Sequence, residues 1–112
     1  MTNPVAEIGP EEAARRASAG DVLLLDVREP EEWKAGHASH AVHVPLGDLD
    51  PSAVAGDRPI VAVCRSGNRS GKAAAVLSQA GMTVSNLTGG MKAWAAAGLP
   101  VVRDDGTAGD VA

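Results

Sequence analysis

Short apolar runs alternate along the chain with segments in which apolar residues recur at helical spacing. Each run is four to six residues long, which is the length of a buried or half-buried strand. Most runs are bounded by glycine, proline or charged residues, which favour turns. The runs predict strands, the first of them a short edge strand, at residues 5–8, 22–27, 41–44, 59–64 and 83–87.

Helices are predicted in the segments between and after these strands. The first begins at Pro10, whose fixed backbone angle suits the first helical position, and Glu11 and Glu12 follow where the helix dipole favours acids. In the third helix, the apolar residues Ala73, Val76, Leu77 and Ala80 are predicted to lie on one face. The predicted helices cover residues 10–20, 29–35, 69–80 and 90–97.

The order of these elements indicates the architecture. Strands that alternate with helices favour an α/β fold, with a five-stranded, mainly parallel sheet covered by helices on both faces. A chain of 112 residues can form one domain with its own core. We assign the domain to residues 8–103. Residues 104–112 have no apolar period, so they are expected to form a flexible tail.

Composition excludes several classes of protein. Hydrophobic residues make up 45% of the chain, too many for a disordered sequence. Because Tyr and Phe are absent, Trp33 and Trp94 are predicted to be the large rings of the core. No stretch approaches the ~18 apolar residues of a membrane span, and the first residues do not resemble a signal peptide. A single cysteine cannot form an internal disulfide, so the expected location is the reducing cytoplasm.

Charge is distributed unevenly along the chain. The net charge is −4, but residues 1–57 hold eleven acidic and four basic side chains, whereas residues 58–103 hold six basic side chains and no acidic one. An acidic domain is a poor partner for nucleic acid, and nothing in the pattern indicates a membrane partner. The basic segment contains the cysteine, so a small anion is the expected ligand there.

The stretch VAVCRSGNRSG, residues 61–71, is the strongest candidate site. Cys64 lies at the carboxyl end of a predicted strand, where open α/β sheets bind ligands, and a helix begins a few residues later. Gly67 allows the backbone to turn its amides inward, and Arg65 and Arg69 add positive charge. These features favour the thiolate, which is the nucleophilic form of cysteine. The alternative, a buried structural cysteine, does not explain the adjacent cationic loop.

Cysteine phosphatases also bind an anion beside a cysteine, but their spacing differs. Their arginine lies at C-x5-R, a position that Ser70 occupies here, and Arg69 gives the tighter C-x4-R spacing. The residue directly before the cysteine is not a histidine, and the loop after it has no aspartate that could serve as a general acid. The spacing therefore argues against phosphoryl transfer.

Three stretches of sequence resemble motifs of the single-domain rhodanese (sulfurtransferase) family. LLLDVREPEEWKAGHASHAVHVPL is similar to the family's D-V-R-E-P-x-E-[aromatic]-x-x-G-H-I-x-G-A-x-x-I-P element. CRSGNRS resembles its six-residue active-site loop, and LTGGMKAWAAAGLPV resembles its G-G-x-x-x-W-x-x-x-G-x-P ending. The resemblance extends over about residues 8–102 and implies the rhodanese fold.

The resemblance also implies a mechanism. The Cys64 thiolate would attack the outer sulfur of thiosulfate or of a persulfide donor, and cyanide, a small thiol or a protein thiol would take the sulfur from the resulting Cys64 persulfide. Neither a metal nor an organic cofactor is expected. Backbone amides of the loop would bind the terminal sulfur anion; the loop residues are Arg65, Ser66, Gly67, Asn68 and Arg69.

Side-chain roles follow from the same resemblance. Arg65 would attract the anionic donor, and Arg69 would brace the loop or face the anion. Asp26 and Arg28 match the family's D-x-R, and Asp26 is expected to orient Arg69 by a charge-assisted hydrogen bond. The alternative for Asp26 is a turn-capping role. Ser70 is expected to support the loop.

Residues 37–43 hold three histidines and two departures from the family pattern. Ala38 replaces the usual Ile, which predicts a looser pocket, and His40 replaces the usual Gly. A metal site formed by His37, His40 and His43 is disfavoured because the three need not share a face. We expect instead that His37 ties the turn together by a hydrogen bond.

Two other pairs of residues have simple structural explanations. Glu31 and Glu32 are expected to lie on a solvated helix face, because neighbours on a helix point apart. Gly89 and Gly90 are expected to allow close packing of the last helix against the sheet.

Three alternatives to small-molecule sulfur transfer remain open at this point. The first is a phosphatase or arsenate reductase on the same architecture. The second is a non-catalytic rhodanese-like module that binds a partner, although such modules often lack the cysteine. The third is a sulfur carrier that hands the Cys64 sulfur to a protein.

Overall fold

The computed structural model describes residues 5–54 and 56–112. Five parallel strands form the main sheet in the order β1-β6-β5-β2-β4. The strands are β1 (Ala6–Ile8), β2 (Leu23–Asp26), β4 (Val42–His43), β5 (Ile60–Val63) and β6 (Val84–Leu87). All five lie within the predicted apolar runs, so the predicted α/β fold with a parallel sheet is confirmed.

Helices follow the strands on both sides of the sheet, as predicted. They are α1 (Pro10–Ser18), α2 (Pro30–Ala35), α3 (Asn68–Gln79) and α4 (Gly90–Ala96). Pro10 is the first residue of α1, with Glu11 and Glu12 in its first turn. A capping box begins α2: the Glu29 side chain accepts from the backbone of the third helical residue, and Glu32 accepts from the Glu29 amide at 3.0 Å. In the described part of the chain, no helix is long and apolar enough to cross a membrane.

Alternating residues of the central strands build two separate apolar layers. Leu24, Val61 and Val63 face α1 and α4, where Trp94 is a core ring as predicted. Leu23, Leu25, Ala62 and their neighbours face α3. This division follows from the two-residue period of a strand, which sends successive side chains to opposite faces. Ala73 and Leu77 of α3 are buried as predicted, but Val76 and Ala80 are exposed, so the predicted apolar face was too wide.

The parallel arrangement positions the candidate site. Asp26 in β2 lies opposite Val63 in β5 in the strand register. The carboxyl ends of β2, β5 and β6 therefore lie at one edge of the sheet, and Cys64 follows β5 directly at this edge.

Residues 104–112 do not form the expected flexible tail. A small antiparallel pair joins β3 (His37–Ala38) to β7 (Val101–Val102), which the apolar pattern did not predict. The tail continues this pairing: the Gly109 amide donates to Val101 at 2.8 Å and the Asp110 amide donates to Ala35 at 2.9 Å. Val111 packs against the apolar layer of α1 and α4. Backbone pairing and one apolar anchor thus order a segment that lacks a regular apolar period.

Trp33 is not the core ring that was predicted. It is half-buried and stacks on two histidine rings, with ring centroids 3.5 Å from His37 and 4.8 Å from His43. The predicted role of His37 is confirmed, because its Nδ1 lies 2.8 Å from the Trp33 carbonyl. Helix α2 has no fully buried residue and lies over the loops at the edge of the sheet, so its aromatic ring reaches histidines instead of the core.

The two departures from the family pattern lie in one turn. Ala38 is buried, and a cavity of about 210 Å³ beside the turn is lined by Ser39 and His40 among others. Ala38 does not line this cavity and is packed in the core, so the expected looser pocket stays a prediction. His40 has φ of 68°, a left-handed conformation that glycine adopts without strain. This explains why glycine is usual at this position in the family.

Candidate active site

The Cys64 sulfur lies inside a ring of hydrogen-bond donors. The residue is only 1% exposed, yet the Gly67 amide donates to Sγ at 3.0 Å and the Ser70 hydroxyl lies 3.2 Å from it. Burial acts to raise the pKa of the thiol. The hydrogen bonds from Ser70, Gly67 and the Ser66 backbone outweigh burial, so the net result is a lowered pKa. The predicted activation of Cys64 thus has a geometric basis.

The backbone conformation of Gly67 directs these amides toward the Cys64 sulfur. Gly67 has φ of 108° and is the N-cap of α3. A residue with a β-carbon rarely adopts this angle, so glycine allows the chain to turn between Cys64 and the helix. Asn68, an exposed residue, then begins α3. The free amides at the start of this helix face the sulfur, as the loop sequence predicted.

Arg69 is paired with Glu32, and not with Asp26. Its Nη1 and Nη2 donate to Oε1 and Oε2 of Glu32 at 2.6 and 2.8 Å. The side-chain hydrogen bonds from Arg69 lower the pKa of Glu32 to about 2. The expectation that Asp26 orients Arg69 is therefore wrong, as is the assignment of Glu32 to a solvated face. Helix α2 brings Glu32 to the loop, a contact that sequence separation did not indicate.

Asp26 binds Arg28 instead, and both side chains are fully buried. The Arg28 Nε lies 3.0 Å from both Asp26 oxygens, and Nη2 lies 2.8 Å from Oδ2. Arg28 Nη2 also donates to the Gly36 carbonyl at 2.8 Å. This pair ties the end of β2 to the segment that follows α2. Neither residue is placed at the sulfur by these contacts.

Arg65 points away from the sulfur. Its side chain is exposed, and Nε donates to the main-chain oxygen of Ala112 at 2.9 Å. With Arg69 neutralised by Glu32, the field at Cys64 comes from backbone amides and a hydroxyl more than from guanidinium groups. The loop was predicted to act through its cationic side chains, but peptide dipoles supply most of its positive field at the sulfur.

The start of α4 holds the entrance of the loop, a contact that the sequence analysis missed. The Met91 amide donates to the Cys64 carbonyl at 2.8 Å, and the Lys92 amide donates to the Arg65 carbonyl at 3.0 Å. Gly90 has φ of 58°, and a β-carbon there would lie only 2.6 Å from the Arg65 oxygen. Gly90 thus allows close packing against the active-site loop, and not simply against the sheet, whereas a β-carbon at Gly89 would meet Ala93 of α4 itself.

Asn86 was also missed. It is a buried polar residue in strand β6, and its Oδ1 lies 2.5 Å from the Ser70 hydroxyl. Its Nδ2 donates to the Gly67 carbonyl at 3.1 Å and to Glu7 at 3.2 Å. An amide side chain in a strand predicted to lie inside the sheet is a signal that could have identified it, because buried amides need partners.

The site combines a nucleophile with donors suited to an anion. Backbone amides around Sγ can stabilise a thiolate, and the same loop can stabilise negative charge on an atom bonded to that sulfur. Among the residues that the structure describes, no cluster of three or more His, Cys, Asp or Glu side chains could hold a metal ion. The chemistry that this arrangement favours is nucleophilic attack by sulfur.

Comparisons with known proteins agree with this geometry. A family model described as the Rhodanese-like domain matches residues 9–97. A sulfurtransferase of Allochromatium vinosum is 42% identical over 106 residues, which covers 91% of this chain and 99% of that protein. A rhodanese-related protein of Thermoplasma volcanium superposes with a TM-score of 0.80 at 29% identity, over 87% of this chain and 97% of that one.

A longer relative contains the same kind of sequence as one part. An HTH-type transcriptional regulator of Mycobacterium tuberculosis is 40% identical over 105 residues, which covers 90% of this chain. The chain spans only 46% of the length of that regulator.

Proposed function

The chain belongs to the rhodanese-like family, whose members include relatives named sulfurtransferases, and on that premise we propose that it transfers sulfane sulfur through a persulfide on Cys64. The observation that carries the proposal is the Gly67 amide 3.0 Å from Sγ, within a loop whose hydrogen bonds lower the pKa of the thiol. A structural cysteine needs no such donors. A nucleophilic one needs them because the thiolate is the reactive form.

The proposed first step balances without any further reactant. The Cys64 thiolate attacks the outer sulfur of thiosulfate, and an electron pair from Sγ forms the new S–S bond. The S–S bond of thiosulfate breaks, and sulfite leaves with its electron pair. A persulfide donor reacts in the same way and releases a thiolate. The negative charge on the new outer sulfur would be stabilised by loop amides, as an oxyanion hole stabilises oxygen.

The second step returns Cys64 to its starting state. Cyanide or a thiolate attacks the outer sulfur, and Sγ leaves as a thiolate. The donors that lower the pKa of Cys64 also make it a better leaving group, so the same contacts serve both steps. We propose thiosulfate or a persulfide as the donor, and cyanide, a small thiol or a protein thiol as the acceptor. Exposed Arg65 at the loop entrance would draw in an anionic donor.

Intact mass measurement after incubation with thiosulfate tests the proposal. The wild type should gain the mass of one sulfur atom, and subsequent cyanide should remove it with formation of thiocyanate. Cys64→Ser is the matched control, because it replaces the thiol with a hydroxyl of similar shape that cannot form a persulfide. This variant should gain no mass. The assay is repeated with a small-molecule persulfide as donor. A wild type that gains no sulfur from either donor would overturn the proposal and favour a binding module.

A further inference from the structure

A continuous line of hydrogen bonds leads from Cys64 across β6 to the outer strand β1. The Ser70 hydroxyl lies 3.2 Å from the Cys64 sulfur and 2.5 Å from the Asn86 Oδ1. Asn86 in turn donates to Glu7 of β1 at 3.2 Å. Ser70 is completely buried and Asn86 is 7% exposed, so water competes little for these groups.

The orientation of the Asn86 amide is determined by its surroundings. Its Nδ2 has two hydrogens, and both have acceptors: the Gly67 carbonyl at 3.1 Å and the Glu7 carboxylate at 3.2 Å. A flipped amide would point its oxygen at these two acceptors. The side-chain oxygen must therefore face Ser70, and it can only accept.

One proton is thus shared between two acceptors. A serine hydroxyl has a single hydrogen, so Ser70 can donate to Asn86 or to Cys64 but not fully to both. We propose that Asn86 is a positioning residue for sulfur transfer: its oxygen competes with the Cys64 sulfur for the Ser70 proton, which turns to the sulfur in the thiolate and back to Asn86 in the persulfide. This inference rests on the proposed function.

The Cys64 sulfur has a suitable partner in each of its states, but the Asn86 oxygen keeps its donor only in the thiol and the persulfide. In the thiol, S–H donates to the Ser70 oxygen while the Ser70 hydroxyl donates to Asn86. In the thiolate, the hydroxyl turns to the charged sulfur, and the Asn86 oxygen loses its donor. In the persulfide, Sγ is a neutral divalent sulfur and a weak acceptor, so the hydroxyl returns to Asn86. Asn86 thereby keeps the free thiolate from being overstabilised, which preserves its reactivity.

The relay formed by Cys64, Ser70 and Asn86 does not depend on the charged side chains around the loop. On the packed elements they are Glu7, Glu32, Arg65, Arg69, Lys72 and Lys92. Arg69 is bound to Glu32, Arg65 to Ala112, and Glu7 also accepts from Thr88 at 3.0 Å. None of these contacts involves the Ser70 hydroxyl. Substitutions of Ser70 and Asn86 therefore leave the charges in place.

The pH dependence of Cys64 alkylation by iodoacetamide tests the relay, since it requires no sulfur donor. Ser70→Ala removes a donor from the thiolate and should raise the midpoint by about one pH unit. Asn86→Leu, which is similar in shape but cannot accept, should lower the midpoint by about half a unit because the Ser70 proton is then committed to sulfur. In the Ser70→Ala background, Asn86→Leu should have no further effect.

The sulfur-loading rate gives a second measurement. At a pH above all the midpoints, Asn86→Leu should load sulfur from thiosulfate about twofold more slowly than the wild type, since nucleophilicity falls with a lowered thiol pKa by roughly half the shift in log units. In the Ser70→Ala background, Asn86→Leu should not slow loading further. Ser78→Ala, the same change at a buried serine further along α3, is the control and should move neither quantity.

Opposite shifts in the two variants distinguish the relay from loop damage, which would move both midpoints in one direction. A shared direction, or an Asn86 effect that persists without Ser70, would overturn the inference. Should Asn86→Leu not fold, Asn86→Ala provides the same comparison, as alanine cannot accept either. A wild type that is alkylated normally but gains no sulfur would contradict the proposed function, while the alkylation midpoints still decide the relay.

Discussion

At Cys64, burial and hydrogen bonding act on the same sulfur in opposite directions. Burial favours the neutral thiol, and the donors from Ser66, Gly67 and Ser70 favour the thiolate. The donors prevail because the Ser70 hydroxyl and several backbone amides converge on one atom. The reactivity of this residue is therefore mainly a property of loop geometry, to which the charge of Arg69 adds a favourable interaction with the thiolate.

Glu32 offers a test at the same scale. Its folded-state pKa of about 2 lies below the ordinary 4.5, so its ion pair with Arg69 stabilises the fold fully above about pH 4.5. That contribution is lost as the pH falls toward 2. Glu32→Gln should lower the free energy of unfolding by about 1–2 kcal/mol at pH 7, a value discounted for partial exposure.

Denaturant unfolding across pH 2 to 7 measures this difference. Glu31→Gln is the matched control, because Glu31 is exposed on the same helix and should cost less than about 0.5 kcal/mol. A Glu32 variant whose deficit is the same at pH 2 and pH 7 would contradict the role of the ion pair.

Among the elements, α4 supports the active site more directly than its position in the chain indicates. The amides of its second and third residues donate to the carbonyls of Cys64 and Arg65, so the helix supports the backbone from which the nucleophile projects. Gly90 makes this possible by leaving no β-carbon at the contact. Helix α4 thus has two roles: it holds the active-site loop in place, and its apolar face covers the sheet.

Gly90, the first residue of α4, and Gly98, two residues after its last, distinguish the effect of close contact from that of backbone strain. Both Gly90 and Gly98 have positive φ, but only Gly90 lacks room for a β-carbon. Gly98→Ala should cost about 1 kcal/mol of stability and leave Cys64 alkylation unchanged. Gly90→Ala should cost about 2–4 kcal/mol and slow alkylation, because the loop must move. Thermal unfolding and alkylation rates provide the measurements, and equal effects at both positions would refute the close-contact explanation.

At the scale of the whole molecule, the segment after β7 is packed against the rest of the domain. Residues 107–112 pair with β7 and with the end of α2, and Ala112 reaches Arg65 at the loop. Val111 is the apolar anchor of this segment. The segment therefore connects the α1 and α4 layer to the entrance of the candidate site.

Identical truncations at two valines test this anchoring. Val111→Ala should lower the free energy of unfolding by about 1 kcal/mol, through lost burial. Val76→Ala, on the exposed face of α3 where the side chain is 43% exposed, should change it by less than about 0.5 kcal/mol. Chemical denaturation compares the two, and a Val111 variant as stable as the Val76 variant would show that the segment is not anchored.

Local patterns were sufficient for the elements and the nucleophile. Apolar runs and helical faces predicted all five strands of the main sheet and the four helices, because the two periods depend only on which side chains face the core. The cysteine, the glycine and the helix start lie within seven residues, so their proximity follows from chain connectivity alone. Cys64, Gly67 and Ser70 were therefore identified from the sequence, and the structure places them together.

Only the tertiary structure decided which polar groups meet across elements. Arg69 lies 37 residues from Glu32 and Asn86 lies 79 residues from Glu7, and each pair depends on how distant elements approach. Asp26 was assigned to Arg69, yet Arg28 is two residues away and fully buried with it. A buried charge takes the partner that desolvation and geometry leave within reach, and that choice is made when the elements pack.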